Sequence, residues 1–208
     1  MRGFFISVEG SDGSGKSTQI KKIEEYLKSR NQEILLTREP GGTLISEKIR
    51  ELLLDPTNKE MTAKTEMLLY AGARTQHLEE FILPNLQQGR SILSDRFTDS
   101  SIAYQGFGRG LGDMVAEVNY IATGGISPDI TFFLDLSPEA GIARKKAEVD
   151  HTMDRLELEK QEFHQRVYDG YKALCNLHEQ RICRIDASQS VDAVFAEIKE
   201  SLDRLFGF

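Results

Sequence analysis

The chain predicts an α/β fold, a five-stranded parallel sheet covered by helices on both faces, and three observations lead there. Short apolar runs alternate with segments of helical periodicity, which requires crossover connections and hence parallel pairing. The first apolar run passes directly into a glycine-rich turn and then an amphipathic helix. Charged residues recur just beyond the strand ends, where ligands of such sheets sit.

Taken in order, residues 4–9 read as a buried strand and 16–29 as a helix with Ile20, Ile23 and Leu27 at helical spacing. Asn31 stops that helix, and Glu33 to Thr37 form a second strand. R-E-P-G-G-T follows as a turn. Residues 43–54 place Ile45, Ile49, Leu52 and Leu53 on one helical face, and a longer helix is expected from Thr62 to Leu83, stopped by Pro84. Ser91 to Ser94 is the third strand. A polar, glycine-punctuated stretch covers 98–112 and is given no element, and 113–122 reads as a helix. Ile130 to Leu136 is the fourth strand, and Ser137-Pro138-Glu139 is a helix start with an N-cap serine and proline in the first turn. A charged segment at 144–155 precedes a helix carrying Phe163, Val167, Tyr171 and Leu174. Arg181 to Asp186 is the last strand, and 191–206 the last helix. No linker interrupts the series, so residues 1–208 are expected to form one domain.

The turn after the first strand has the spacing G-x-x-x-x-G-K-[ST]: Gly10, Ser11, Asp12, Gly13, Ser14, Gly15, Lys16, Ser17, then Thr18. Glycines let the backbone curl so that successive N–H groups face phosphate oxygens, and the following helix adds the positive end of its dipole. Lys16 reaches the outer phosphates, and the Ser17 hydroxyl is the expected Mg²⁺ ligand. These residues together predict a nucleoside-triphosphate site.

Composition narrows the class. The net charge of −7 argues against a general nucleic-acid binder. Cys175 and Cys183 have no metal-ligand spacing and read as reduced thiols. No apolar run approaches membrane-spanning length and no secretory signal precedes Glu9, so a cytoplasmic location is expected.

The remaining strand ends carry Arg38 after strand two, Asp95 and Arg96 after strand three, and Arg144, Lys145, Lys146 and Arg155 beyond strand four. Cations converging on one rim of an acidic protein predict phosphate binding, and Asp95 could hold a Mg²⁺-bound water. Phosphoryl transfer needs alignment and charge neutralisation rather than a strong base. None of His77, His151, His164 and His178 occupies a strand end, and they are assigned no chemistry.

The motifs E-G-x-D-G-S-G-K-S-T, T-R-E-P-G-G-T, D-R-F-x-x-S-x-x-A-Y-Q-G and D-R-L-E, in this order over residues 4 to 171, closely resemble the bacterial thymidylate kinase family. The resemblance implies ATP and Mg²⁺ as co-substrate and metal, dTMP as acceptor, and a homodimer formed by helices packed side by side. It implies that Arg38 and Arg96 grip the dTMP phosphate and that Asp12 accepts a hydrogen bond from the sugar 3′-hydroxyl. Tyr70 falls where the family stacks a ring on thymine, and Arg74 where it reads a thymine carbonyl. Ser101 and Gln105 fall at base contacts, and Tyr104 where a ring crowds the sugar 2′ position. Some branches carry an arginine where this chain has Gly13. Lacking it, this chain resembles the type that supplies the cation from a mobile lid, here about 142–156, with Arg144 and Arg155 as candidates.

Two rivals differ in what they require. A deoxynucleoside kinase needs a general base instead of Arg38 and Arg96. A guanine-nucleotide switch needs N-K-x-D, and Asn58-Lys59-Glu60 runs on to Met61.

Overall fold

A computed structural model describes residues 2–146 and 153–208, without the Lys146 side chain. Five parallel strands, β1 (Phe5–Glu9), β2 (Ile34–Arg38), β3 (Ser91–Asp95), β4 (Ile130–Asp135) and β5 (Ile182–Asp186), lie in the order β2-β3-β1-β4-β5. β1 is central and buried throughout, as a strand covered on both faces must be. Its side chains alternate. Ile6 and Val8 pack with Ile23 and Leu27 of α1 (Lys16–Ser29) and Val194, Ile198 and Leu202 of α9 (Val191–Phe206). Phe5, Ser7 and Glu9 share the opposite face by the two-residue period of a strand. There Phe5 joins Leu78, Ile82, Leu86 and Phe97, while Phe133 of β4 joins Phe163, Val167, Tyr171 and Leu174 of α8 (Gln161–Leu177).

The helices α2 (Leu44–Leu54), α3 (Ala63–His77), α6 (Met114–Thr123) and α7 (Pro138–Lys146) fall near their expected places. Ser137 Oγ accepts the Ala140 N–H at 3.3 Å, the cap expected there.

One expectation is corrected, and two readings the sequence leaves open are decided. Pro84 does not stop the long helix. α3 widens into a π-helical turn, Leu78–Ile82, and continues as α4 (Leu83–Gln87). The wide turn accommodates a residue that has no N–H and whose ring would crowd the preceding turn. The stretch from residue 98 is helical: α5 (Thr98–Ser101) runs into a π-helical segment, Ile102–Gly108. Glycines serve close packing there. A Cβ on Gly108 would lie 2.7 Å from the Phe163 ring, and one on Gly170 would lie 2.9 Å from the Phe107 ring. Finally, the apolar face of 43–54, which the sequence leaves open between core and interface, is largely uncovered: Ile45 and Leu52 are exposed, and only Leu53 of that set is buried.

Candidate active site

One cavity of about 940 Å³ opens along the carboxyl ends of the strands and is shared by nearly every residue singled out above. Asp12, Gly13, Ser14, Gly15, Lys16, Ser17 and Thr18 line it at the β1–α1 junction, and Arg38, Asp95 and Arg96 line it from β2 and β3. Tyr70, Arg74, Ser101, Tyr104 and Gln105 form one end, while Arg144 and Lys145 approach the other.

The loop is built for close approach. Gly10, Gly13 and Gly15 all have positive φ, which an L side chain rarely adopts. A Cβ on Gly13 would lie 2.2 Å from the Gly141 carbonyl oxygen, and one on Gly141 would lie 2.4 Å from that of Asp12. α7 thus rests directly on the loop. The Lys16 ammonium donates to the Gly10 and Ser11 carbonyls, both at 3.1 Å, and is curled over the cup. Burial and the neighbouring Arg96 lower its pKa, against the pull of Asp12, Asp95 and Glu9.

Arg96 occupies the centre. It too has positive φ, 72°, and its guanidinium donates to Asp12 at 2.8 Å, to Ser100 and Tyr171 hydroxyls at 3.1 Å each, and to Tyr104 Oη at 3.3 Å. Burial opposes the Asp12 charge, but Arg96, Lys16 and Lys145 outweigh it and hold that carboxyl at about 2. Arg38 lies on the same wall, pairing with Glu47 at 3.0 Å and donating to the Pro40 carbonyl.

At the end formed by α3 and the Ile102–Gly108 segment, Tyr70 is half-buried, and Arg74 one turn later is buried. Arg74 is already held by Glu39 at 2.7 Å, Asn119 at 2.8 Å and the Phe97 carbonyl at 3.1 Å, which leaves two of its five N–H groups. The buried Ser101 Oγ has no hydrogen-bond partner among the described residues. Gln105 donates from Nε2 to Glu66 at 2.9 Å.

Of the proposed lid, residues 147–152 lie outside the described residues. Arg144 lines the cavity and donates to the Ala187 carbonyl at 3.0 Å. Arg155 departs from expectation. It does not line the cavity; it is buried, bonded to Glu66 at 2.7 Å and to the Leu53 carbonyl at 2.8 Å. A guanidinium needs several acceptors when buried; Glu66 and the Leu53 carbonyl supply two, while Nη2 has no partner among the described residues.

Several cavity residues escaped the sequence reading. Arg50, on α2, donates to the same Pro40 carbonyl as Arg38 and was missed because it belongs to no strand end. Ala187, Gln189, Ser190 and Val191 follow β5, and the strand-end rule applied there finds them. Behind the lining, Glu9 opens the E-G-x-D motif but was given no role, and Tyr171 carries no signal beyond helix periodicity.

The Asp95 Oδ1 atom is buried without a partner among the described residues, on a side chain that shares the cavity with the Ser17 hydroxyl. Hard oxygen donors of this kind suit Mg²⁺, which takes few protein ligands and keeps several waters. Among the described residues no group of three His, Cys, Asp or Glu side chains could hold a metal, which also fits an ion held chiefly by phosphates and water.

The thymidylate kinase family model matches residues 8–198. A thymidylate kinase from Lactobacillus delbrueckii subsp. bulgaricus is 50% identical over 99% of this chain and 100% of its own length. One from Finegoldia magna is 51% identical over 96% of this chain and 98% of its own. The crystal structure of thymidylate kinase from Ehrlichia chaffeensis superposes with a TM-score of 0.77 at 32% identity, covering 97% of this chain and 99% of that one. A phosphate loop facing the Arg96 guanidinium across one cavity, and full-length similarity to these enzymes, agree: the chain belongs to the thymidylate kinase family.

Proposed function

We propose that the chain transfers the γ-phosphoryl group of ATP to dTMP, giving dTDP, in a single domain. The carrying observation is that one cavity has two cationic stations, the loop ending at Lys16 and the wall of Arg38, Arg50 and Arg96, with Tyr70, Arg74, Ser101 and Gln105 lining it beyond the second. ATP phosphates take the N–H cup, and Lys16 exchanges the Gly10 and Ser11 carbonyls for phosphate oxygens. The dTMP phosphate takes Arg38 and Arg96, so the two ligands meet end to end, in line for transfer. Ser17, and Asp95 through water, hold Mg²⁺, which when bound neutralises charge on the phosphates.

Asp12, paired with Arg96, stays ionised at neutral pH and accepts the sugar 3′-hydroxyl. Tyr104, whose ring lies 5.1 Å from the Arg96 guanidinium, is fixed beside the sugar and leaves little room at its 2′ position. Tyr70 offers its ring to thymine. The free N–H groups of Arg74, with Ser101 and Gln105, meet the base edge. Arg144, rather than the buried Arg155, is the cation available to the transferred group.

Exposed Leu44, Ile45, Leu52, Leu68, Tyr120 and Ile121 lie on α2, α3 and α6, which pack side by side. An apolar face of this extent favours a homodimer through those helices. No described helix is long and apolar enough to cross a membrane, and both described cysteines are free thiols, in keeping with a cytoplasmic enzyme.

A coupled assay of ADP release with dTMP, dUMP, dCMP and thymidine tests the reading. Rapid, Mg²⁺-dependent turnover of dTMP is expected; phosphorylation of thymidine but not dTMP would overturn it.

A further inference from the structure

Glu66 is fully buried on α3, beneath the base end of the cavity, and contacts no expected ligand. Four donors surround it. Arg109 approaches with Nε at 3.2 Å from each oxygen and Nη2 at 2.9 Å, Arg155 Nη1 lies at 2.7 Å, and Gln105 Nε2 at 2.9 Å. Burial alone would raise the Glu66 pKa, but the Arg109 and Gln105 hydrogen bonds and the two arginine charges lower it instead. An ionised carboxylate only accepts. The half of the Gln105 amide that faces it must therefore be the NH₂ group.

The other half follows. Gln105 lines the cavity, and its Oε1 accepts no hydrogen bond among the described residues. The cavity end is thus offered an acceptor from Gln105 and donors from Arg74. A pyrimidine with a carbonyl at C4 and N3–H presents the complementary acceptor and donor. Cytosine presents an amino group and a bare N3, the reverse order.

We propose that Glu66 is a positioning residue that sets base choice, locking the Gln105 amide so that the site takes N3–H pyrimidines and rejects cytosine. Its effect is exerted through Gln105, and it rests on the dTMP reading above. Arg109 and Arg155 keep Glu66 ionised and centred, which explains why two arginines are spent on one buried carboxylate away from the chemistry. In Glu66→Gln the neighbour can donate as well as accept, so both orientations of Gln105 become available.

The test is kcat/KM for dTMP and for dCMP in the wild type and in Glu66→Gln, with thermal unfolding measured alongside. The expected result is a fall in the dTMP:dCMP ratio of roughly tenfold or more, the cost of about one misdirected hydrogen bond, with a gain in dCMP turnover. A merely structural role would lower both substrates together, and an unchanged ratio overturns the proposal. If Glu66→Gln does not fold, Glu66→Asp keeps the charge for both arginines but withdraws it from Gln105, and the same ratio decides. As a second measurement, N3-methyl-dTMP should be a poor substrate for the wild type; turnover equal to that of dTMP would show that no acceptor faces N3 and overturn the proposal. Failure of the wild type to use dTMP at all would instead overturn the proposed function.

Discussion

Glu9 and Arg96 are joined through two hydroxyls. Arg96 Nη1 donates to Ser100 Oγ and Tyr171 Oη, and both hydroxyls donate onward to the same Glu9 oxygen, at 2.5 and 2.9 Å. The other Glu9 oxygen accepts the Phe97 N–H at 2.7 Å, pinning the residue after the positive-φ Arg96. The strand period explains the placement: Glu9 points away from α1 and under the Arg96 turn.

Burial, then the nearby Asp99, raise the Glu9 pKa to about 7, against the Arg96 charge and the Ser100 and Phe97 hydrogen bonds. Protonation replaces an acceptor by a donor and loosens the Arg96 support. Wild-type kcat/KM should therefore fall as pH drops through about 7, and Glu9→Gln should lose that limb while keeping the one due to the substrate phosphate near roughly pH 6. A pH–rate comparison checks this; identical limbs would exclude the role. The stability sign is opposite. A carboxyl raised above its unfolded value contributes stability below that value, and the contribution is lost as pH rises through about 7.

Arg155 and Arg144 should separate stability from rate. Arg155→Met removes one buried partner of Glu66 and leaves Arg109, so a loss of about 3 kcal/mol, or roughly 6–12 °C in Tm, is expected. Arg144→Ala should barely move Tm but lower kcat by roughly 10–100-fold. Calorimetry and steady-state kinetics on both variants decide.

Asp95→Asn should weaken metal use without unfolding the sheet, because Oδ1 has no partner among the described residues to lose. The Mg²⁺ concentration for half-maximal rate should rise by roughly 10-fold or more, read from a metal titration at saturating ATP.

Gly13→Ala should cost about 1–3 kcal/mol, since its φ of +77° disfavours a side chain and the Cβ meets the Gly141 carbonyl. Denaturant unfolding measures it. An arginine at this position, as in other branches of the family, requires α7 to stand further off.

If the apolar face is the dimer contact, Leu44→Asp combined with Ile121→Asp should leave a folded monomer in sedimentation experiments, because charge at the centre of such a contact is strongly unfavourable. A dimer of unchanged stability would place the contact elsewhere.

Local signals were legible where one residue type has one physical use. Gly10, Gly15 and Lys16 announced the phosphate loop, and Ser137-Pro138 announced α7. They misled where one type has two uses: Gly108, in a glycine-punctuated stretch, lets α8 pack closely on a helical segment. Arg155 is placed away from the cavity for a related reason, since a charge beside a lid motif and a charge clasped by a buried carboxylate look alike in sequence.

The amino-acid sequence by itself determined the strand–helix alternation, the phosphate loop and the ring of charges past the strand ends, because backbone periodicity and glycine sterics are local. Only the tertiary structure decided which charges face the cavity and which are buried beneath it. That choice depends on which acceptors distant segments bring within about 3 Å of each guanidinium, and Glu9, Glu66 and the Leu53 carbonyl reach their arginine networks only once β1, α2 and α3 have packed.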